Sequence, residues 1–177
     1  MKTALRFLKG RRVIILGFMG SGKSAVAREL GRRLNVNAVD LDDLVAQHEG
    51  KSAGEIIASD GESSFRAIET ARLSETLTDD SVHVVALGGG AWTLEQNRKL
   101  IADAKGFTIW LDAPFEVCWQ RIKGNIEKRP LAPSREVAEQ LYTQRHPIYA
   151  LAEMRLAVDA AANPRDTARR IIESLSA

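Results

Sequence analysis

The chain has 177 residues and a formal net charge of +2, long enough for one domain with a sizeable core and too evenly charged to point to nucleic acid or a membrane surface. Cys118 is its only cysteine, which excludes an intrachain disulfide and suits a reducing, cytoplasmic setting; no apolar run is long enough to cross a bilayer. Met1 to Arg12 is basic without the apolar stretch of a secretory signal, and reads as a frayed or loosely docked lead-in to the first strand.

There is no internal repeat, low-complexity tract or linker. Strand-like runs at about residues 12–17, 37–41, 82–87, 106–111 and 155–159 alternate with helical ones, at spacings that suit crossover helices. That alternation predicts an α/β fold, a parallel sheet covered on both faces, with ligands beyond the carboxyl ends of the strands.

The first strand, Val13 to Leu16, runs into Gly17-Phe18-Met19-Gly20-Ser21-Gly22-Lys23-Ser24, and Val26, Leu30 and Leu34 then form a helical stripe. G-x-x-x-x-G-K-S between a strand and a helix is a phosphate-binding P-loop. Backbone N–H groups from Gly20 to Ser24 can converge on a triphosphate only where side chains do not intrude, and the helix N-terminus adds its dipole. Lys23 reaches the β- and γ-phosphates, and the Ser24 hydroxyl can ligate Mg²⁺.

The second strand ends in Asp40-Leu41-Asp42-Asp43. Read as strand, Asp40 and Asp42 share a face: one can hold Mg²⁺ through water, the other can accept a hydrogen bond from an attacking hydroxyl. Ser52-Ala53-Gly54-Glu55 is a capping box opening a short helix that ends at Asp60-Gly61, before a longer helix with Phe65, Ile68 and Leu73 buried. Arg66 and Glu69 are one turn apart on another face. Spacing alone favours an exposed ion pair of little worth; the alternative is an arginine pre-oriented to clamp a carboxylate or phosphate.

The third strand runs into Gly88-Gly89-Gly90, a sign of backbone close to ligand; Trp92 then walls the site or simply packs. The fourth leads to a helix start at Asp112-Ala113-Pro114, and Phe115, Cys118 and Ile122 make a core stripe, so Cys118 reads as a small buried hydrophobe. Arg121, Lys123, Lys128, Arg129 and Arg135 crowd a stretch broken by Gly124, Pro130 and Pro133, the composition of a basic lid. Ala138, Leu141, Tyr142 and Arg145 share the next helical stripe, which Pro147 kinks or ends; Arg145 is either cleft-facing or a snorkelling surface residue. Asn163-Pro164-Arg165-Asp166 opens a last helix that buries Ala168, Ile171, Ile172 and Leu175. His48, His83 and His146 lack metal-ligand spacing.

The P-loop, Asp40-Leu41-Asp42, Gly61-Glu62 with Phe65-Arg66 and Ile68-Glu69, Gly88-Gly89-Gly90-Ala91, Arg129-Pro130-Leu131, and Arg145 before Pro147 and Tyr149 together resemble the shikimate kinase family, from about Arg12 to the final helix. The resemblance implies a three-layer P-loop fold like that of nucleoside-monophosphate kinases, a five-stranded parallel sheet of order 2-3-1-4-5. The core would cover about residues 12–40, 80–120 and 150–177, the substrate-binding region about 41–75, and the lid about 121–135. It implies transfer of the γ-phosphoryl of ATP to the 3-hydroxyl of shikimate, in aromatic amino-acid biosynthesis, with Mg²⁺, by a cytoplasmic monomer.

By position, Gly20, Ser21, Gly22, Lys23, Ser24 and Ala25 would bind ATP, with Arg121 and Pro164 flanking the adenine and Arg129 on the phosphates. Asp42 would be the base candidate; Arg66 and Arg145 would grip the shikimate carboxylate; Gly88, Gly89 and Gly90 would approach the substrate. Ser24, and Asp40 through water, would hold the metal. Lys23, Asp42 and Arg129 form the implied catalytic set. Two positions depart from the family pattern: Ala132 in the lid, and Ala162, where an arginine often precedes the proline. Rival readings are a kinase for another polyhydroxy acid such as gluconate, and a nucleotide-binding module without turnover.

Overall fold

The computed structural model describes residues 10–176. The expected lead-in over residues 1–9 lies outside them, and Arg12 already belongs to the first strand. Five strands, β1 (Arg12–Leu16), β2 (Asn37–Asp40), β3 (Val82–Ala86), β4 (Gly106–Asp112) and β5 (Met154–Ala157), form one parallel sheet in the order β2-β3-β1-β4-β5. That is the expected order. The helices are α1 (Lys23–Leu34), α2 (Leu41–Glu49), α3 (Ala53–Thr78), α4 (Glu95–Asp103), α5 (Phe115–Ile122), α6 (Arg135–Tyr149) and α7 (Pro164–Ser174).

β1 is central because both of its faces are apolar: Val13, Ile14, Ile15 and Leu16 are all buried, flanked by β3 and β4. Val26, Leu30 and Leu34 bury the inner face of α1 as their spacing predicts, and Ala168, Ile171 and Leu175 do so for α7, with Ile172 at the margin of the core. Cys118 is buried among these side chains, and burial pushes its thiol up to about 11, which makes it a poor nucleophile at neutral pH.

A second, smaller cluster of Val45, Ile56 and Phe65, with Ile57 and Ile68 against it, lies within the segment expected to hold the substrate. The capping box is complete: Ser52 Oγ accepts from the Glu55 N–H at 3.3 Å, and Glu55 Oε2 accepts from the Ser52 N–H at 2.7 Å. The short and long helices are the two limbs of α3, kinked where Gly61 takes φ 83° and ψ 163°. Pro147 does not end α6, which runs on to Tyr149.

Candidate active site

A cavity of about 180 Å³ opens at the carboxyl edge of the sheet. Its walls include Lys23 and Ser24 from the P-loop, Asp40 and Asp42 after β2, Arg66 and Glu69 from α3, Gly89 and Gly90 after β3, Arg129, and Arg145 from α6. Four cations (Lys23, Arg66, Arg129, Arg145) and three carboxylates (Asp40, Asp42, Glu69) thus share one small space. Met19, Ile57, Phe65 and Leu131 supply an apolar lining.

The P-loop holds its shape through glycine. Gly20 has φ 81°, and a Cβ there would meet the Cys118 carbonyl oxygen at 2.7 Å, so a side chain is excluded by conformation and by space. Lys23 Nζ donates to the Phe18 carbonyl at 3.0 Å. Burial pushes the Lys23 pKa down, against the pull of Asp42 and Asp40, which favour its charged form.

The Asp40–Asp42 pair corrects the strand reading. β2 stops at Asp40, and Asp42 lies in the first turn of α2. Asp40 caps that helix, its Oδ1 accepting from the Asp42 N–H at 3.0 Å. Both carboxylates still line the cavity, because the strand-to-helix turn delivers them rather than a two-residue alternation. Asp42 is open to the cleft, yet the protein around it pushes its carboxyl upward and Asp40 adds to the effect, while Lys23, Arg66 and Arg129 oppose. Water in the cleft moderates all of these influences.

Arg66 and Glu69 are not an exposed pair. Glu69 is wholly buried, and its Oε2 accepts from Arg66 Nη1 at 2.6 Å; Glu62 Oε1 holds the other side of the guanidinium at 3.1 and 3.2 Å. Two carboxylates therefore fix the arginine fork before any ligand arrives. The three glycines make room for this arrangement. A Cβ on Gly90 would meet the Arg66 guanidinium carbon at 2.6 Å, and one on Gly88 would meet Asp42 Oδ1 at 2.6 Å. Gly89 and Gly90 line the cavity, whereas Gly88 lies beneath Asp42 and Glu69. Arg145 is 7% exposed and faces the cavity, so it is no snorkelling surface residue. Tyr149, one turn on, donates from its hydroxyl to the Gly89 carbonyl at 2.5 Å.

The shikimate kinase family model matches residues 19–176. The chain belongs to the shikimate kinase family. A shikimate kinase of Synechococcus elongatus is 37% identical over 94% of this chain and 87% of its own length. One from Geobacter sulfurreducens is 40% identical over the same shares. Among solved structures, shikimate kinase from Acinetobacter baumannii in complex with shikimate superimposes with a TM-score of 0.89 at 28% identity, covering 97% of this chain and 96% of that one.

Against the family's pattern, Ala132 is wholly buried behind Leu131, so the shorter side chain is packed rather than exposed. Arg129, with its Nε buried and without a hydrogen-bond partner, lines the cavity beyond the 3-10 turn Lys123–Lys128; the side chain of Lys128 lies outside those described. Arg135 pairs instead with Glu116, away from the cavity. Arg121 does not line the cavity: its Nη1 donates to the Gly20 carbonyl at 3.0 Å, against the P-loop. Pro164 opens α7 and borders a separate shallow groove with Ala25. Trp92 packs, donating from Nε1 to the Ile148 carbonyl at 2.9 Å. Among the described residues no cluster of three or more His, Cys, Asp or Glu could hold a metal, and His146 sits 3.5 Å from Asp112 and edge-on to Trp110.

Sequence reasoning used Glu69 only as a partner for Arg66 and missed it as a buried wall of the site. Burial raises its carboxyl to about 6, Arg66 pulls it back, and Asp42 adds to the rise. A carboxyl raised by folding contributes stability that is complete below its ordinary value of 4.5 and is lost as pH rises through about 6. The thermal stability of the wild type relative to Glu69→Gln is thus expected to fall between pH 4.5 and 6 and to level off above. A relative stability that climbs across that interval would show that the Arg66 ion pair outweighs burial.

Proposed function

We propose that the protein transfers the γ-phosphoryl group of ATP to the 3-hydroxyl of shikimate, with Arg66 and Arg145 holding the acid's carboxylate and Asp42 facing the reacting alcohol. The observation that carries this reading is the lining of one cavity, which brings together two arginines that can take a carboxylate, Asp42 and the P-loop lysine. Shikimate offers matching groups, a carboxylate at one end of a ring and hydroxyls at the other. The apolar side chains of Met19, Ile57, Phe65 and Leu131 suit the ring's carbon skeleton.

Phosphoryl transfer through a loose transition state asks a protein for positioning and positive charge more than for covalent chemistry. Main-chain amides from Gly20 to Ala25, opening α1, cradle the phosphates. Lys23 and Arg129 bracket the transferring group, and Arg121, docked on the P-loop, and Pro164 flank the adenine. Ser24 and Asp40 line the same cavity, and hydroxyl and carboxylate are hard oxygen donors. One Asp40 oxygen already caps α2, which leaves the other for a metal-bound water. That donor set fits Mg²⁺, which keeps several waters and takes phosphate oxygens. When bound, Mg²⁺ would neutralise charge on the β- and γ-phosphates.

The lid segment, about residues 121–135, closes over the phosphates and excludes water that would otherwise hydrolyse ATP. Arg129→Ala is expected to lower kcat about 10- to 100-fold and to leave the KM for shikimate little changed, because Lys23 still grips the phosphates. An effect confined to shikimate affinity would contradict that placement. The reading as a whole is tested by following ADP release with shikimate and gluconate side by side, with and without Mg²⁺. Release that depends on shikimate and Mg²⁺ is expected. Equal turnover of gluconate, or nucleotide binding without turnover, would overturn it. No helix among the described residues is long and apolar enough to span a membrane, and we read the enzyme as a cytoplasmic monomer that acts on small molecules.

A further inference from the structure

Behind the cavity wall, hydrogen bonds from α4 tie α3 to the glycine turn. Gly88–Gly90 leads directly into the 3-10 turn Ala91–Thr93. Asn97, wholly buried in α4, uses both ends of its amide: Nδ2 donates to the Ala91 carbonyl at 2.9 Å, and Oδ1 accepts from the Thr70 hydroxyl at 2.8 Å. Thr70 is the residue after Glu69 on α3 and also accepts from Gln96 at 3.3 Å. Arg98 Nη1 donates to the carbonyls of Trp92 and Thr93, each at 2.9 Å. α4 therefore holds three successive carbonyls of the turn and, through one hydroxyl, the helix that carries Arg66 and Glu69.

The tolerance on the cavity side is small. The Gly90 backbone lies so close under Arg66 that even a methyl group would collide with the guanidinium, and the Gly88 backbone lies as close under Asp42. A buried amide is costly unless both of its ends are bonded, so a packing role alone would be met more cheaply by an apolar side chain.

We propose that Asn97, together with Thr70, is a positioning residue that fixes the spacing between Arg66 and the glycine turn and so sets affinity for the carboxylate end of the acceptor. The inference rests on the reading of Arg66 as a carboxylate clamp. Neither Asn97 nor Thr70 lines the cavity, so both act through Arg66.

Thr70→Val removes the hydroxyl with little change in volume; Thr70→Ser keeps it; Thr70→Ala repeats the deletion with a smaller side chain. The KM for shikimate, the KM for ATP, kcat and Tm are measured for each, in the wild-type and Arg66→Ala backgrounds. Thr70→Val and Thr70→Ala are expected to raise the KM for shikimate about fivefold or more and to leave that for ATP within about twofold, with Thr70→Ser close to wild type. With Arg66 already removed, Thr70→Val is expected to add nothing further to the KM for shikimate. An unchanged KM for shikimate in Thr70→Val, an equal rise for both substrates, or full additivity with Arg66→Ala would each overturn the proposal. If Arg66→Ala raises the KM for shikimate and Thr70→Val does not, the inference alone fails. If Arg66→Ala itself leaves that KM unchanged, the clamp assignment fails and the inference with it.

Discussion

Asp42→Asn is expected to lower kcat by about 10²-fold or more, with the affinities for shikimate and ATP changed far less. The substitution keeps the shape of the side chain and its place in the first turn of α2, so the cavity is preserved. What is lost is an acceptor that can take a proton. The protein around Asp42 raises its carboxyl and Asp40 raises it further, which improves it as a base near neutral pH. Lys23, Arg66 and Arg129 oppose the rise and favour the carboxylate form. In a loose transition state the proton can leave late, so a base is not strictly demanded and orientation of the alcohol is the competing role. Steady-state kinetics with saturating ATP separates the two roles: a near-wild-type kcat would dismiss proton transfer to Asp42 and leave orientation alone.

The second large effect concerns the clamp. Arg66→Ala and Arg145→Ala are each expected to weaken shikimate binding by about 1.5–3 kcal/mol, about 10- to 100-fold, and nucleotide binding little. The two variants should differ in stability. Arg66→Ala strips the wholly buried Glu69 of its ion-pair partner, whereas Arg145 has the Tyr149–Gly89 hydrogen bond beside it to keep the turn in place. A lower Tm for Arg66→Ala than for Arg145→Ala is therefore expected. Titration calorimetry with shikimate and with ADP checks the ligand specificity: equal losses for both ligands would count against the assignment.

The parts of the site that could be read from the sequence are those where local chemistry restricts residue type. The P-loop is legible because main-chain donors aimed at phosphate require glycine at set intervals between a strand and a helix. The capping box at Ser52 and the proline at the start of α7 are legible because they satisfy orphan groups within one turn. Strand order followed from family resemblance; the alternation of elements by itself predicts only a parallel sheet.

Other features were hidden because their cause is tertiary. An Asp in a D-L-D run can end a strand or cap a helix, and Asp40 does both. An arginine and glutamate one turn apart look alike on a wet face and in a buried wall. Only the approach of Gly88 and Gly90, about 20 residues further along the chain, decides for Arg66 and Glu69. The glycine run itself was the available signal: three small residues after a buried strand announce that something large sits against them. The Thr70–Asn97 link left no such mark, since a polar residue near the start of a helix is ordinary.

The central claim is spatial: one cavity orients an anionic polyol so that a single alcohol faces a nucleotide held by the P-loop. A crystal structure of the protein with shikimate and ADP tests it most directly. The carboxylate is expected within hydrogen-bonding distance of Arg66 and Arg145, with the 3-hydroxyl against Asp42 and turned towards the β-phosphate. Shikimate bound in the reverse orientation, or outside the cavity that Lys23 and Asp42 share, would contradict it.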